Sequence, residues 1–335
     1  MTRAMLATAA LLGALMGAGA ALEQAVAPFT LTTPLTGNAE MMRRLYSPLR
    51  ARQIADQLAA AHQALGGQAI DPAQEQFVVT VPPVKPANGY GLIVFVAPWN
   101  TAIVPAGWQS VLDARGYIFV TAGHSGNNQD VAARREPLAL VAEQNIAARY
   151  ALDPARIFVS GLSGGARVAL RLALGYPDVF RGALLNAGSD PIGSAEIPLP
   201  PRELFQRFQR DSRLVYLTGS LDALHREMDR KSQASMAQWC VGHVATVTAQ
   251  GLGHEAADPE SLGQALDALE NPAPPDPALD ACRAALDRTL ASKLDEVRAL
   301  ESAGRKDEAR SLLTDIDAKF GGLAAPESVA LAATP

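Results

Sequence analysis

No run of lysine or arginine occurs anywhere in the 335 residues, and the formal net charge is -5. Nucleic-acid binding leaves a footprint of clustered basic side chains, so that class of partner is excluded. Long apolar stretches are equally scarce. After the first residues no segment approaches the roughly 20 strongly apolar residues that a spanning helix needs, so no membrane span is expected. Cysteine is limited to Cys240 and Cys282, and none follows the N-terminal apolar stretch where a lipid anchor would attach. There is no internal repeat, which sets aside repeat architectures.

What is present is the composition of a globular chain. With 48% apolar and 19% charged residues, the chain can bury a substantial core, and its length suits one main domain with small appendages. Residues 1–20 read as a secretory signal: Arg3, an apolar stretch over 4–16, then Ala18-Gly19-Ala20 as a small-residue cleavage site. An uncleaved anchor is the competing reading, which the shortness and Ala/Gly content of the stretch disfavour. The expectation is export, to the periplasm or the medium. In an oxidising compartment two cysteines invite a Cys240–Cys282 disulfide, with two separate buried thiols as the alternative.

Residues 21–40 show no period and read as an irregular arm, so that 21–75 comprises an N-terminal arm and a helix. Ser47-Pro48 is an N-cap and first-turn pair, and Leu49, Ile54, Leu58, Ala61 and Leu65 form an apolar stripe ending at Gly66-Gly67. From Gln76 the character changes. Short runs rich in strand formers lie at 77–81, 92–96, 117–120, 157–159, 183–185, 214–217 and 245–248. Helical stretches at 108–114, 137–150, 165–174, 201–208 and 227–238 separate most of them. Strand and helix alternating through short loops predict parallel strands joined by right-handed crossovers. The expected fold is α/β, a mostly parallel doubly wound sheet with helices on both faces, over 76–270. Four prolines in 271–277 mark a boundary. Beyond it, the stripes Leu279, Cys282, Leu286, Leu290, Leu294, Val297, Leu300 and Ala309, Leu312, Ile316, Phe320 predict a helical hairpin within 271–322 that packs back on the core. Residues 323–335 are expected to be a loose tail.

The chemistry concentrates at Gly161-Leu162-Ser163-Gly164-Gly165, between the strand at 157–159 and the helix at 165–174. That context is a nucleophile elbow. A serine on so sharp a turn has a crowded backbone, so the positions two before and two after must be very small, as Gly161 and Gly165 are. The helix behind Ser163 offers free amides and a partial positive charge to an oxyanion, with Gly164 N–H as the first donor. A hydroxyl needs a base, and chain order places it after the last strand, where Gly251-Leu252-Gly253 leads into His254. His124, in Gly123-His124-Ser125-Gly126, is the competing base and a candidate pocket residue. His62, His225 and His243 read as non-catalytic, the first two as solvated surface residues. The acid follows the strand at 214–217, which points to Asp222, with Asp190 as the alternative. The second oxyanion donor should come from Ala97-Pro98-Trp99-Asn100. Proline has no N–H, which leaves Trp99 or Asn100.

With these residues in place, 76–256 resemble the polyhydroxybutyrate depolymerase-like and feruloyl-esterase-like branch of the α/β-hydrolases. The matching features are Tyr90-Gly91-Leu92, Leu152-Asp153-Pro154-Ala155-Arg156 before Ile157, the elbow itself, Tyr176-Pro177-Asp178-Val179-Phe180, and Gly253-His254-Glu255. The resemblance implies the α/β-hydrolase fold and ester hydrolysis through an acyl-enzyme, with no metal or organic cofactor, on a small-molecule or polymeric ester. The pattern departs at 97–100 and at Arg167. Fewer than thirty residues separate Leu185 from Leu214, too few for a helix plus a large lid, so a shallow, open site is expected, walled by Trp99, Trp108 and Tyr90 unless these are core. A serine peptidase with the same triad and a non-catalytic, exported hydrolase-like binding protein are the competing readings.

Overall fold

The computed structural model describes residues 25–26, 28–67, 70–274 and 276–333. The expected signal over 1–20 lies outside the described residues. The strands are β1 (Ala25–Val26), β2 (Phe77–Thr80), β3 (Tyr90–Val96), β4 (Tyr117–Ala122), β5 (Leu152–Leu162), β6 (Gly182–Asn186), β7 (Arg213–Gly219) and β8 (His243–Ala249). The helices are α1 (Asn38–Leu45), α2 (Pro48–Ala60), α3 (Trp108–Arg115), α4 (Glu136–Arg149), α5 (Gly164–Gly175), α6 (Arg202–Asp211), α7 (Ala223–Gln238), α8 (Pro259–Glu270), α9 (Ala278–Ser302), α10 (Lys306–Phe320) and α11 (Glu327–Ala332).

All eight strands form one sheet in the order β1-β2-β4-β3-β5-β6-β7-β8. The β1–β2 and β2–β4 pairs are antiparallel and every other pair is parallel. Strands covered on both faces read as unbroken apolar runs because neither side meets water. Along β3 the alternation is visible: Leu92, Val94 and Val96 join Ile118, Val120 and Val159 in one cluster, whereas Ile93 and Phe95 join Phe119, Phe158 and Val215 in the other. The second cluster is closed by Trp108 and Leu112 of α3 and by Leu262 and Leu266 of α8. The expected mostly parallel, doubly wound sheet is therefore present, with β5 near its middle.

Four features correct the sequence reading. The arm over 21–40 is not wholly irregular, since Ala25 and Val26 pair with Val79 and Val78, and Thr33 caps a short turn leading into α1. Helix α8 was not foreseen, although Asp258-Pro259 carries the same cap and first-turn signal as Ser47-Pro48; Asp258 accepts from the Ser261 amide at 2.9 Å. The expected loose tail contains α11, which packs near α2 and α9, buries Ser328 and pairs Glu327 with Arg298 at 2.6 Å. Finally, Trp108 and Tyr90 do not wall a site. Trp108 is wholly buried with Nε1 donating to the Ala257 carbonyl at 2.8 Å, and Tyr90 opens β3 at the end of the sheet away from the elbow.

The hairpin α9–α10 packs on the core through Leu290, Leu294, Val297, Leu313, Ile316 and Phe320. Cys240, after α7, and Cys282, in α9, form a disulfide with a Cα–Cα distance of 6.0 Å, which fastens the hairpin to the sheet domain. Closing a loop of 42 residues should contribute about 4 kcal/mol by chain entropy. The Cys240→Ser, Cys282→Ser double variant is expected to lose stability on that order in urea unfolding, with the loss absent when both proteins are compared under reduction. Among the described residues no helix is long and apolar enough to cross a membrane.

Candidate active site

Ser163 ends β5 and caps α5 with φ 56° and ψ -122°, a left-handed-side conformation that a non-glycine residue holds only when its surroundings enforce it. The enforcement is steric. A Cβ on Gly165 would stand 1.9 Å from the Val96 carbonyl oxygen, and one on Gly161 would stand 2.3 Å from the Gly165 carbonyl. Only glycine lets β5, β3 and the start of α5 approach this closely. The Ser163 amide donates to the Asn186 carbonyl at 2.8 Å, which fixes the turn against β6.

The structure brings Ser163, His254 and Asp222 into one hydrogen-bonded line. His254 Nε2 lies 3.0 Å from Ser163 Oγ, and His254 Nδ1 lies 2.8 Å from Asp222 Oδ2. A carboxylate facing Nδ1 requires the proton there, which leaves Nε2 with a lone pair toward the hydroxyl. Asp222 follows β7 and His254 follows β8, so all three stand at the carboxyl edge of parallel strands. Asn186 binds the loops together: its Nδ2 donates to the Leu217 carbonyl at 3.0 Å and its Oδ1 accepts from the Ala257 amide at 2.9 Å. Sequence reasoning did not single out Asn186, whose contacts are all remote in the chain.

His225 was misread as a surface residue. Its side chain is only 14% exposed, its Nδ1 lies 2.9 Å from Asp222 Oδ1, and its ring stacks on that of His254 with centroids 3.9 Å apart and planes 15° from parallel. Gly188, at φ 103°, makes the space, since a Cβ there would stand 2.4 Å from His225 Cδ2. The signal was available in the sequence, as Asp222 and His225 are three residues apart at the start of α7, a spacing that puts cap and side chain on one face. Burial pushes the Asp222 carboxyl up, but hydrogen bonds from the His225 and His254 rings and from the His225 amide outweigh it and hold it below its ordinary value. Asp222, His225 and His254 also each offer one metal-ligand atom within 4.8 Å of the others. Because the rings are nearly parallel, their Nδ1 lone pairs would run side by side rather than converge, so the arrangement suits two imidazoles gripping one carboxylate better than a metal ion.

The remaining candidates are placed apart from this line. Asp190 lies 3.6 Å from Arg167 Nε and meets neither histidine. His124 is exposed at φ 50°, with its amide on the Asn100 carbonyl and its own carbonyl taken by Arg134, and it does not border the cavity at Ser163. His62 is exposed on the turn after α2, and His243 opens β8 at the far end. The Gly164 amide opens α5, where no earlier carbonyl of the helix can accept it. Trp99 is half-buried and Asn100 exposed on the loop after β3.

A cavity of about 880 Å³ runs from Ser163 and Gly164 along the α5 face made by Arg167, Val168 and Arg171. At its far end stand Tyr46 and Ser47, between α1 and α2, and Thr314 and Asp317 of α10. Asp317 accepts from Ser47 Oγ at 2.5 Å and from the Leu49 amide at 3.0 Å, so the two ends of the chain close one wall. The groove beside Ser163 is thus bounded on one side by α2 and α10. Loop length between β6 and β7 was no guide, because the wall comes from elements outside the sheet domain.

No family model matches the chain. Poly(3-hydroxyalkanoate) depolymerase C of Paucimonas lemoignei is 31% identical over 133 residues, which cover 35% of this chain and 32% of that protein. The chain therefore spans about a third of the length of the curated relative it matches. Among solved structures, S-formylglutathione hydrolase from Staphylococcus aureus is 12% identical over 59% of this chain and 93% of its own, with a TM-score of 0.43. A thermophilic esterase from Thermogutta terrifontis is 20% identical over 61% and 87%, with a TM-score of 0.42. A puromycin-hydrolyzing peptidase from Mycobacterium tuberculosis is 18% identical over 58% and 36%, with a TM-score of 0.41. Likeness at this level bears on neither activity nor substrate.

Proposed function

We propose, from the premise that the chain has the α/β-hydrolase fold, that it is an exported serine hydrolase that cleaves carboxylic esters through an acyl-enzyme. The observation that carries this reading is the line Ser163–His254–Asp222, with the hydroxyl on a sterically enforced turn at a helix N-terminus. In the first step Ser163 Oγ attacks the ester carbonyl carbon while His254 Nε2 takes its proton. The carbonyl π electrons move to oxygen, and the oxyanion faces the Gly164 amide. Asp222 holds the Nδ1–H tautomer and offsets the charge of the imidazolium. His254 then returns the proton to the departing alkoxide as the tetrahedral carbon collapses to the acyl-enzyme. Water repeats the sequence to release the acid.

The likeness to a poly(3-hydroxyalkanoate) depolymerase supports an ester rather than an amide substrate. The groove supports one whose chain carries hydrogen-bond acceptors, since the exposed Arg167 stands along its floor. Export is supported by the disulfide and by the signal-like residues 1–20. The test is a fluorophosphonate probe with peptide mapping, run beside a panel of p-nitrophenyl esters and matched peptide amides. Labelling at Ser163 with ester turnover is the expected result. Preference for the amides would make it a peptidase, and no labelling of the folded protein would leave only a hydrolase-like scaffold.

A further inference from the structure

Acyl transfer of this kind uses two hydrogen-bond donors on the oxyanion, and Gly164 N–H supplies one. The loop after β3 is one place for the second, and its three residues differ in what they offer. Pro98 has no N–H. The Pro98 carbonyl accepts from the Asn127 amide at 3.0 Å, and since the C=O and following N–H of a trans peptide point in opposite directions, the Trp99 N–H faces away from Asn127. Asn100 holds the loops together, with its carbonyl on His124 N at 2.7 Å, its Oδ1 on Gly126 N at 3.0 Å and its Nδ2 on Asn128 Oδ1 at 3.0 Å, which leaves its backbone N–H as the competing donor.

Asn127 itself is placed over the first turn of α5. A methyl group on Gly164 would stand 2.3 Å from Asn127 Oδ1 and 3.1 Å from Nδ2, so the absence of a side chain at 164 is what admits the carboxamide. Asn127 borders the cavity together with Ser163 and Gly164, and its side chain forms no hydrogen bond among the described residues. Its backbone is fixed by the bond to Pro98, so the side chain needs only rotation about Cβ–Cγ to present its NH₂. We propose that the side-chain amide of Asn127 is the second oxyanion donor, a catalytic residue supplied by the loop between β4 and α4 in place of a backbone amide after β3. The inference rests on the serine-hydrolase reading above.

Asn127→Ala should lower kcat for a short p-nitrophenyl ester by about 10² to 10³, the range for loss of one oxyanion donor. KM should stay within about 3-fold, because the donor acts on charge that exists only in the transition state. A trifluoromethyl ketone, which forms a charged tetrahedral adduct on serine, should lose affinity by a similar factor. Asn127→Asp should be poorer still, since a carboxylate repels the oxyanion. The side chain is exposed, so the midpoint of thermal unfolding serves as a control for folding. If the wild-type protein labels at Ser163 and hydrolyses esters while Asn127→Ala keeps kcat within about 3-fold, this proposal alone is overturned and the backbone amide of Trp99 or Asn100 is the donor. A wild-type protein that neither labels nor turns over brings down both readings.

Discussion

Ser163→Ala is expected to lower kcat on p-nitrophenyl esters by about 10⁶ and to abolish fluorophosphonate labelling, while leaving a folded protein. The size follows from the mechanism: without Oγ there is no covalent intermediate, and the remaining catalysis comes from oxyanion donors and binding. Retention of fold follows from the contacts. Ser163 Oγ is bonded to His254 Nε2, whereas the turn is held by the Ser163 amide on Asn186 and by the close approach of Gly165 to Val96, none of which alanine disturbs. Labelling that persists at another serine, or turnover near the wild-type value, would remove Ser163 from the reaction.

The second large effect is at the acid. Asp222→Ala should cost about 10⁴ in kcat, because His254 loses both the partner that fixes its tautomer and the charge that stabilises its imidazolium. Asp222→Asn should be milder than the alanine variant, since two rings face this carboxylate. An asparagine there can turn its oxygen to His254 and its NH₂ to His225 Nδ1, which takes the other tautomer, at the cost of the cap that Asp222 accepts from the His225 amide. Adding His225→Phe keeps the stacked ring but removes that freedom, so the double variant should fall to the alanine level. Steady-state kinetics of the four proteins decide it. An Asp222→Ala variant within about tenfold of wild type would mean that the acid lies elsewhere.

Much of this was readable in the chain because the relevant signals are local. The run Leu92-Ile93-Val94-Phe95-Val96 announces a strand covered on both faces, and the elbow glycines announce a turn that no other residue fits. Chain order brings the candidate base and acid to one place, since loops after consecutive parallel strands emerge at one edge. What was hidden depends on contacts between distant residues. A two-residue strand such as β1 exists only because β2 accepts it. The role of His225 required knowing that Gly188, on another loop, leaves room for its ring. Tyr90 and Trp108 looked like pocket aromatics because periodicity places a residue on a strand or helix without saying which end of the sheet it occupies. Asn127, which lies over Gly164, is likewise some thirty positions away from Pro98, a neighbourhood that no local signal reports.

The latch between Asp317 and the Ser47–Leu49 turn has a bearing on how such a protein acquires new preferences. The candidate reacting groups stand on the turns after β5, β7 and β8, while the distant boundary of the groove is assembled from helices outside the sheet, held together in part by Asp317 and in part by the disulfide. Under the proposed function, selectivity and bond cleavage are thus carried by separable parts of the chain. Insertions, exchanges or shortening at either terminus can reshape what the groove admits while the serine, its base and its acid stay where they are.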